Sequence, residues 1–99
     1  MLVGQWWRRK WLRKRRLSIQ GQPVGHYTYS EAYDRYGATC YLCLQPIDRA
    51  LGPNGYLAPS LDHVVPISRG GADTMENVRP CHKGCNSHKG KRLLSEIAA

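Results

Sequence analysis

Two short clusters of cysteine and histidine constrain this chain more than any other feature. The first is Cys40-Tyr41-Leu42-Cys43 and the second is Cys81-His82-Lys83-Gly84-Cys85. Two intervening residues let a chain turn tightly enough to aim both sulfurs at one tetrahedral ion. His82 and Cys85 repeat the spacing of Cys40 and Cys43, so these four form the preferred ligand set, with Cys81 in place of His82 as the alternative. Either set is complete and leaves no position for an activated water. That predicts a structural Zn2+ whose binding contributes folding free energy directly.

A chain of 99 residues has room for one domain, and a domain of that size buries only about 60–65% of its unfolded surface. Phe is absent, and the aromatics are Trp6, Trp7, Trp11 and six tyrosines, so core material is thin and a metal staple has work to do. The N-terminus has no apolar stretch of ~7–15 residues like that of a secretory signal. No run approaches the ~18 apolar residues of a membrane span. The cysteines are therefore expected in a reducing compartment, the cytoplasm, where paired cysteines bind metal rather than form disulfides.

The net charge of +8 is unevenly spread: residues 1–22 hold seven basic side chains and no acid, and the remainder is near neutral at +1. Residues 1–22 thus read as a basic arm, with Arg8, Arg9 and Arg13 interleaved with tryptophans, and residues 23–99 as the domain. Dense positive charge with aromatics suits phosphate contact and stacking on bases. A membrane surface is disfavoured because the arm's apolar face is small.

Gln20 to Gly25 is punctuated as a linker. Ser30 is expected to cap a short helix over 31–36 that packs Tyr33 and Tyr36 and stops at Gly37. Gly52-Pro53-Asn54-Gly55 signals a turn, and Tyr56 to Val65 is compatible with a strand. Residues 68–75 read as a Gly70-Gly71 loop, Asn77 to Pro80 as a return strand, and Asn86 to Ile97 as a helix with Leu93, Leu94 and Ile97 inward. The predicted class is a small, zinc-stapled α+β fold.

Between and beyond the two clusters run Leu61-Asp62-His63-Val64-Val65-Pro66, Gly70-Gly71, Glu76-Asn77-Val78-Arg79-Pro80 and Cys85-Asn86-Ser87-His88-Lys89-Gly90. The order of knuckle, Asp-His, Gly-Gly loop, Asn, second knuckle and Asn resembles the HNH endonuclease family, also called the ββα-metal or His-Me fold. The resemblance runs from about Tyr36 to Arg92 and is strongest to the short phage and actinobacterial members. It implies a ββα-metal motif preceded by a short helix and a zinc knuckle, with DNA as substrate in a bacterial or phage-infected cytoplasm.

Cutting a phosphodiester needs a base to activate water and positive charge for the phosphorane and the leaving 3′ oxygen. An imidazole, with an ordinary pKa of about 6.5, suits the first task. A hard divalent cation on oxygen ligands suits the second. By resemblance, His63 is the general base, Asp62 and Asn86 hold one Mg2+ or Mn2+, and Asn77 braces the loop so that the imidazole keeps its direction. Arg79, Lys89, Lys91 and Arg92 are expected to contact flanking phosphates, and His88 to be a phosphate contact or a surface residue. His26 receives no role. The rival readings are a zinc-stabilised DNA-binding module without catalysis, and a packaging accessory that works with a partner such as a phage terminase.

Overall fold

The computed structural model describes residues 23–97. The expected basic arm, with Arg8, Arg9 and Arg13, lies outside the described residues.

Helix α1 spans Tyr29–Tyr36. Its cap is Thr28 rather than the expected Ser30: the Thr28 hydroxyl accepts from the Glu31 N–H at 3.0 Å, and the Glu31 carboxylate accepts from the Thr28 N–H at 2.9 Å. This reciprocal pair satisfies two donors that a helix start would leave unpaired. The Thr-x-x-Glu signature was therefore in the sequence, two residues upstream of the residue singled out. The helix ends at Gly37 as expected. Its buried face carries Ala32 and Tyr33. The Tyr33 hydroxyl donates to the Ser60 carbonyl at 2.9 Å and accepts from the Ser60 N–H at 3.1 Å, which pins the helix to the first strand.

That strand, β1, covers Pro59–His63 and pairs antiparallel with β2, Val78–His82, with Leu61 opposite Pro80 and His63 opposite Val78. β1 is shorter than the expected Tyr56–Val65, because Leu51 to Leu57 form turns and Pro66 follows the strand. Pro80 is tolerated in β2 because both strands of a two-stranded sheet are edges, and its carbonyl accepts from the Tyr41 N–H at 3.1 Å. This contact docks the first knuckle on the hairpin.

Helix α2 spans Lys83–Lys89 and the short helix α3 spans Leu94–Ile97. The single helix expected over Asn86–Ile97 is thus corrected at both ends. It begins earlier because β2 runs directly into it at His82, and it stops at Gly90, whose φ of +59° an L side chain rarely adopts. The Arg92 guanidinium closes this end on the His88 and Lys89 carbonyls at 2.6 and 3.1 Å. Leu94 is 40% exposed rather than inward, since α3 lies beyond the break.

The core is small. One cluster holds Tyr33, Cys40, Ile47 and Cys81, and a second holds Tyr27, Ala32 and Val78. No described helix is long and apolar enough to cross a membrane.

Candidate metal centre and active site

The first knuckle turns between Cys40 and Cys43 and is closed by the Leu44 N–H on the Cys40 carbonyl at 2.8 Å. Leu44 takes φ of +65°, a left-handed conformation that costs a non-glycine residue of order 1–3 kcal/mol. The second half-site is the junction of β2 and α2, where His82 ends the strand and Cys85 lies in the first helical turn. Sulfurs of Cys40, Cys43 and Cys85 and a ring nitrogen of His82 lie within 4.8 Å of one another. His82 Nδ1 is 3.3 Å from Cys43 Sγ and 3.9 Å from Cys85 Sγ. Zn–S near 2.3 Å and Zn–N near 2.0 Å put tetrahedral edges at about 3.5–3.8 Å, so the donor set fits a zinc ion.

Surrounding groups fix these donors. His82 Nε2–H donates to the Pro46 carbonyl at 3.0 Å, which selects the tautomer whose Nδ1 is a metal donor. Burial pushes the Cys40 thiol up, but the N–H groups of Cys43, His82 and Leu42 outweigh it and bring the thiol to about 7. Cys85 is pushed up to about 11, first by burial, with the neighbouring sulfurs of Cys43 and Cys40 adding to the rise. A divalent cation relieves that crowding. Cys81 stands outside the cluster, fully buried, with its thiol pushed well above its ordinary value by burial and by the charge of Asp62.

Asp62 and His63 are adjacent in β1, and strand alternation sends them to opposite faces. Asp62 is 6% exposed. Its Oδ2 accepts from the Tyr41 hydroxyl and pairs with the Lys89 ammonium at 3.1 Å. Lys89 is 2% exposed and also donates to the His63 carbonyl at 3.2 Å. Expected at the surface on a phosphate, Lys89 is instead an internal cation. Asn86 stands three residues earlier on α2, the spacing that shares a helix face. Its Nδ2 donates to Ser60 Oγ at 3.3 Å and to the Leu61 carbonyl at 3.4 Å. In donor type, Asp62 and Asn86 suit a hard cation. The Lys89 ammonium lies 3.1 Å from Asp62 Oδ2, so a cation held by these two residues would have to displace it.

The other face of β1 belongs to His63. Its Nε2 lies 2.9 Å from Oδ1 of Asp73, a fully buried carboxylate. The same oxygen accepts from the Tyr27 hydroxyl at 2.5 Å. Asn77 does not reach the imidazole. Its Nδ2 donates to the Val65 and Ala72 carbonyls at 3.0 and 2.7 Å, and its Oδ1 accepts from the Val65 N–H at 3.0 Å. It is a staple across the loop that carries Asp73. Gly71 in that loop has no room for a side chain, since a Cβ would stand 1.8 Å from the Val65 carbonyl oxygen.

Of the basic residues expected on phosphates, Arg79 lies over the Tyr36 ring at 4.0 Å and donates to the Glu76 and Val78 carbonyls. Arg92 closes α2 as above, while Lys91 and His88 are exposed. Sequence reasoning did not single out Asp73, Tyr27 or Tyr41. Asp73 sits in what reads as an ordinary glycine loop, and only the hairpin pairing brings it beside His63.

The HNH endonuclease family model matches residues 40–92, more than half of the chain. The chain belongs to the HNH endonuclease family. A search of curated proteins finds no match. Both half-sites of the HNH zinc cluster and the segment from Asp62 to Arg92 fall inside the match, whereas α1 and Tyr27 precede it.

Two outcomes follow for this HNH chain. Metal analysis should find one zinc per chain in the wild type and in Cys81→Ala but less in His82→Ala, and a strong chelator should abolish the cooperative unfolding transition. Lys89→Met should lower unfolding free energy by about 3–5 kcal/mol by leaving the buried carboxylate unpaired. Mn2+ should then restore part of the loss in denaturant titrations. Equal effects of Mn2+ on variant and wild type would show that Asp62 is not a latent cation site.

Proposed function

We propose that this chain is an endonuclease that hydrolyses phosphodiester bonds of DNA, with His63 as the general base. The observation that carries this reading is the imidazole itself. It is 16% exposed at the end of β1 and bound through Nε2 to a buried carboxylate, so Nδ1 is the nitrogen left to meet a water. A module that only binds DNA needs the zinc cluster and a basic surface but has no use for a base held in that way.

In the proposed step, a water gives one proton to Nδ1 as its oxygen forms a new bond to phosphorus. The bond from phosphorus to the 3′ oxygen breaks with its electron pair. The imidazolium returns its proton through solvent to that oxygen, which restores the neutral base and leaves a 3′ hydroxyl and a 5′ phosphate. Family resemblance also implies Mg2+ or Mn2+ at Asp62 and Asn86, and an ion entering there has to displace the Lys89 ammonium.

Residues 1–22 carry seven of the fifteen basic side chains, and we assign this arm, with Arg8, Arg9 and Arg13, to the phosphate backbone, with Lys91 as a further contact. Backbone contacts give affinity and orientation without sequence reading, so weakly specific cutting is the expected behaviour.

Supercoiled plasmid incubated with Mg2+, Mn2+ or chelator, beside His63→Ala of equal zinc content, tests the reading. Nicked or linear DNA should form with the divalent ion, and the rate should fall about 10²–10⁴-fold in the variant. No cutting by either protein in any metal would sink it. A chain beginning at Pro23 should bind DNA with a much shallower salt dependence, since each lost phosphate contact removes about 0.9 from the log–log slope. An unchanged slope would remove the arm from the interface.

A further inference from the structure

Asp73 is the carboxylate that meets the His63 imidazole, and its placement is specified from several directions. Its N–H donates to the Pro23 carbonyl at 3.1 Å, and its own carbonyl accepts from the Gly25 N–H at 3.0 Å, in a short parallel bridge centred on Val24 and Asp73. The residue before it, Ala72, is held by Asn77, and Gly71 lies against the Val65 carbonyl. The carboxylate is therefore fixed through its backbone, and its Oδ1 is shared between the Tyr27 hydroxyl and the His63 imidazole.

A buried carboxylate is costly unless polar partners meet it. Here those partners include a phenol, which has only its O–H to give, and an imidazole, whose response has consequences. An ionised carboxylate accepts hydrogen bonds and donates none. Nε2 must then carry the proton, and Nδ1 must present its lone pair. The contact therefore selects one tautomer and fixes the ring plane. It also places a negative charge 2.9 Å from the ring that becomes positive when Nδ1 takes a proton, in a spot closed to water where such a charge is weakly screened.

We propose that Asp73 is the positioning residue of the base: locked by Tyr27 and the Pro23–Gly25 segment, its carboxylate accepts the Nε2–H of His63 and reserves Nδ1 for the attacking water. The inference rests on the nuclease reading for its catalytic meaning, but the bond itself is open to a test that needs no cleavage.

Full-length, zinc-loaded protein labelled with 15N histidine is examined by NMR, with His63→Ala identifying the His63 resonances. In the wild type, His63 should carry its proton on Nε2, and that proton should exchange slowly with solvent. Asp73→Asn removes the negative charge and keeps a single oxygen, already engaged by Tyr27, beside a new amide N–H donor, so it should shift His63 toward the opposite tautomer or a mixture. On plasmid, the same variant should lose at least about 10²-fold in kcat, since a misdirected base forfeits its contribution, while KM stays near the wild-type value. Tyr27→Phe keeps the acceptor, so its tautomer should hold while Nε2–H exchange accelerates and kcat falls by less than in Asp73→Asn. A residue that only held the loop together would move neither the tautomer nor kcat at constant KM.

A wild-type His63 protonated on Nδ1 overturns the proposal. So does an Asp73→Asn protein of full zinc content with the wild-type tautomer and kcat. Should Asp73→Asn fail to fold, the wild-type tautomer and the exchange rate in Tyr27→Phe decide: slow exchange that Tyr27→Phe accelerates supports the contact, and exchange that Tyr27→Phe leaves unchanged refutes it. If the wild type cuts no DNA in any metal, the nuclease reading fails, while the tautomer still reports whether Asp73 holds the ring.

Discussion

Three sulfurs and an imidazole nitrogen within 4.8 Å of one another join two parts of the chain that are far apart in sequence. The knuckle meets the hairpin through the Tyr41 to Pro80 hydrogen bond, and the core cluster beneath it contains Cys40 and Cys81 themselves. Apolar burial on that scale is marginal for a domain of this length. A cation shared by the four donors would fix where β2 ends and where α2 begins, because His82 and Cys85 straddle that junction. The direction of α2 then places Asn86 and Lys89 against β1. The zinc site needs no reactive chemistry of its own to matter for the rest.

β1 serves two environments with neighbouring residues. One face meets α2 and the knuckle, where Asp62, Tyr41 and Lys89 form a closed polar group. The other meets the Gly-Gly loop and the segment before α1, where His63, Asp73 and Tyr27 form a second. Two charged groups on one face could couple directly; on opposite faces, they act on each other through the strand backbone, as when Lys89 donates to the His63 carbonyl.

Much of this arrangement was legible in the residues. The spacing of Cys40, Cys43, His82 and Cys85 is a local property that survives folding, and it singled out a cluster the fold brings together. The two strands and the α+β class followed from apolar runs bounded by turn residues. What could not be read depends on contacts between distant segments. Nothing near Asp73 marks it as a partner of His63, because the pairing arises when the loop folds back on the end of β1 and Val24 bridges to it. Lys89 reads as one more surface charge in a basic stretch, and its burial follows from the angle of α2. The end of α2 has a simpler cause: Gly90, with φ of +59°, stops the helix ahead of the leucines whose spacing suggests that it continues.

The loop staple has a consequence for how this structure is encoded. Asn77 meets backbone atoms of Val65 and Ala72 with both ends of its amide, so the side chain behaves like an extra peptide unit laid across the loop. An aspartate has no N–H to offer the two carbonyls, and a glutamine carries its amide one methylene too far. Backbone atoms, in contrast, are the same whatever side chains the loop carries. The path between the strands is therefore written at very few positions, chiefly Asn77 and Gly71. Exposed positions elsewhere on that path, such as Ser68, are free to drift in sequence while the imidazole and its carboxylate keep their places.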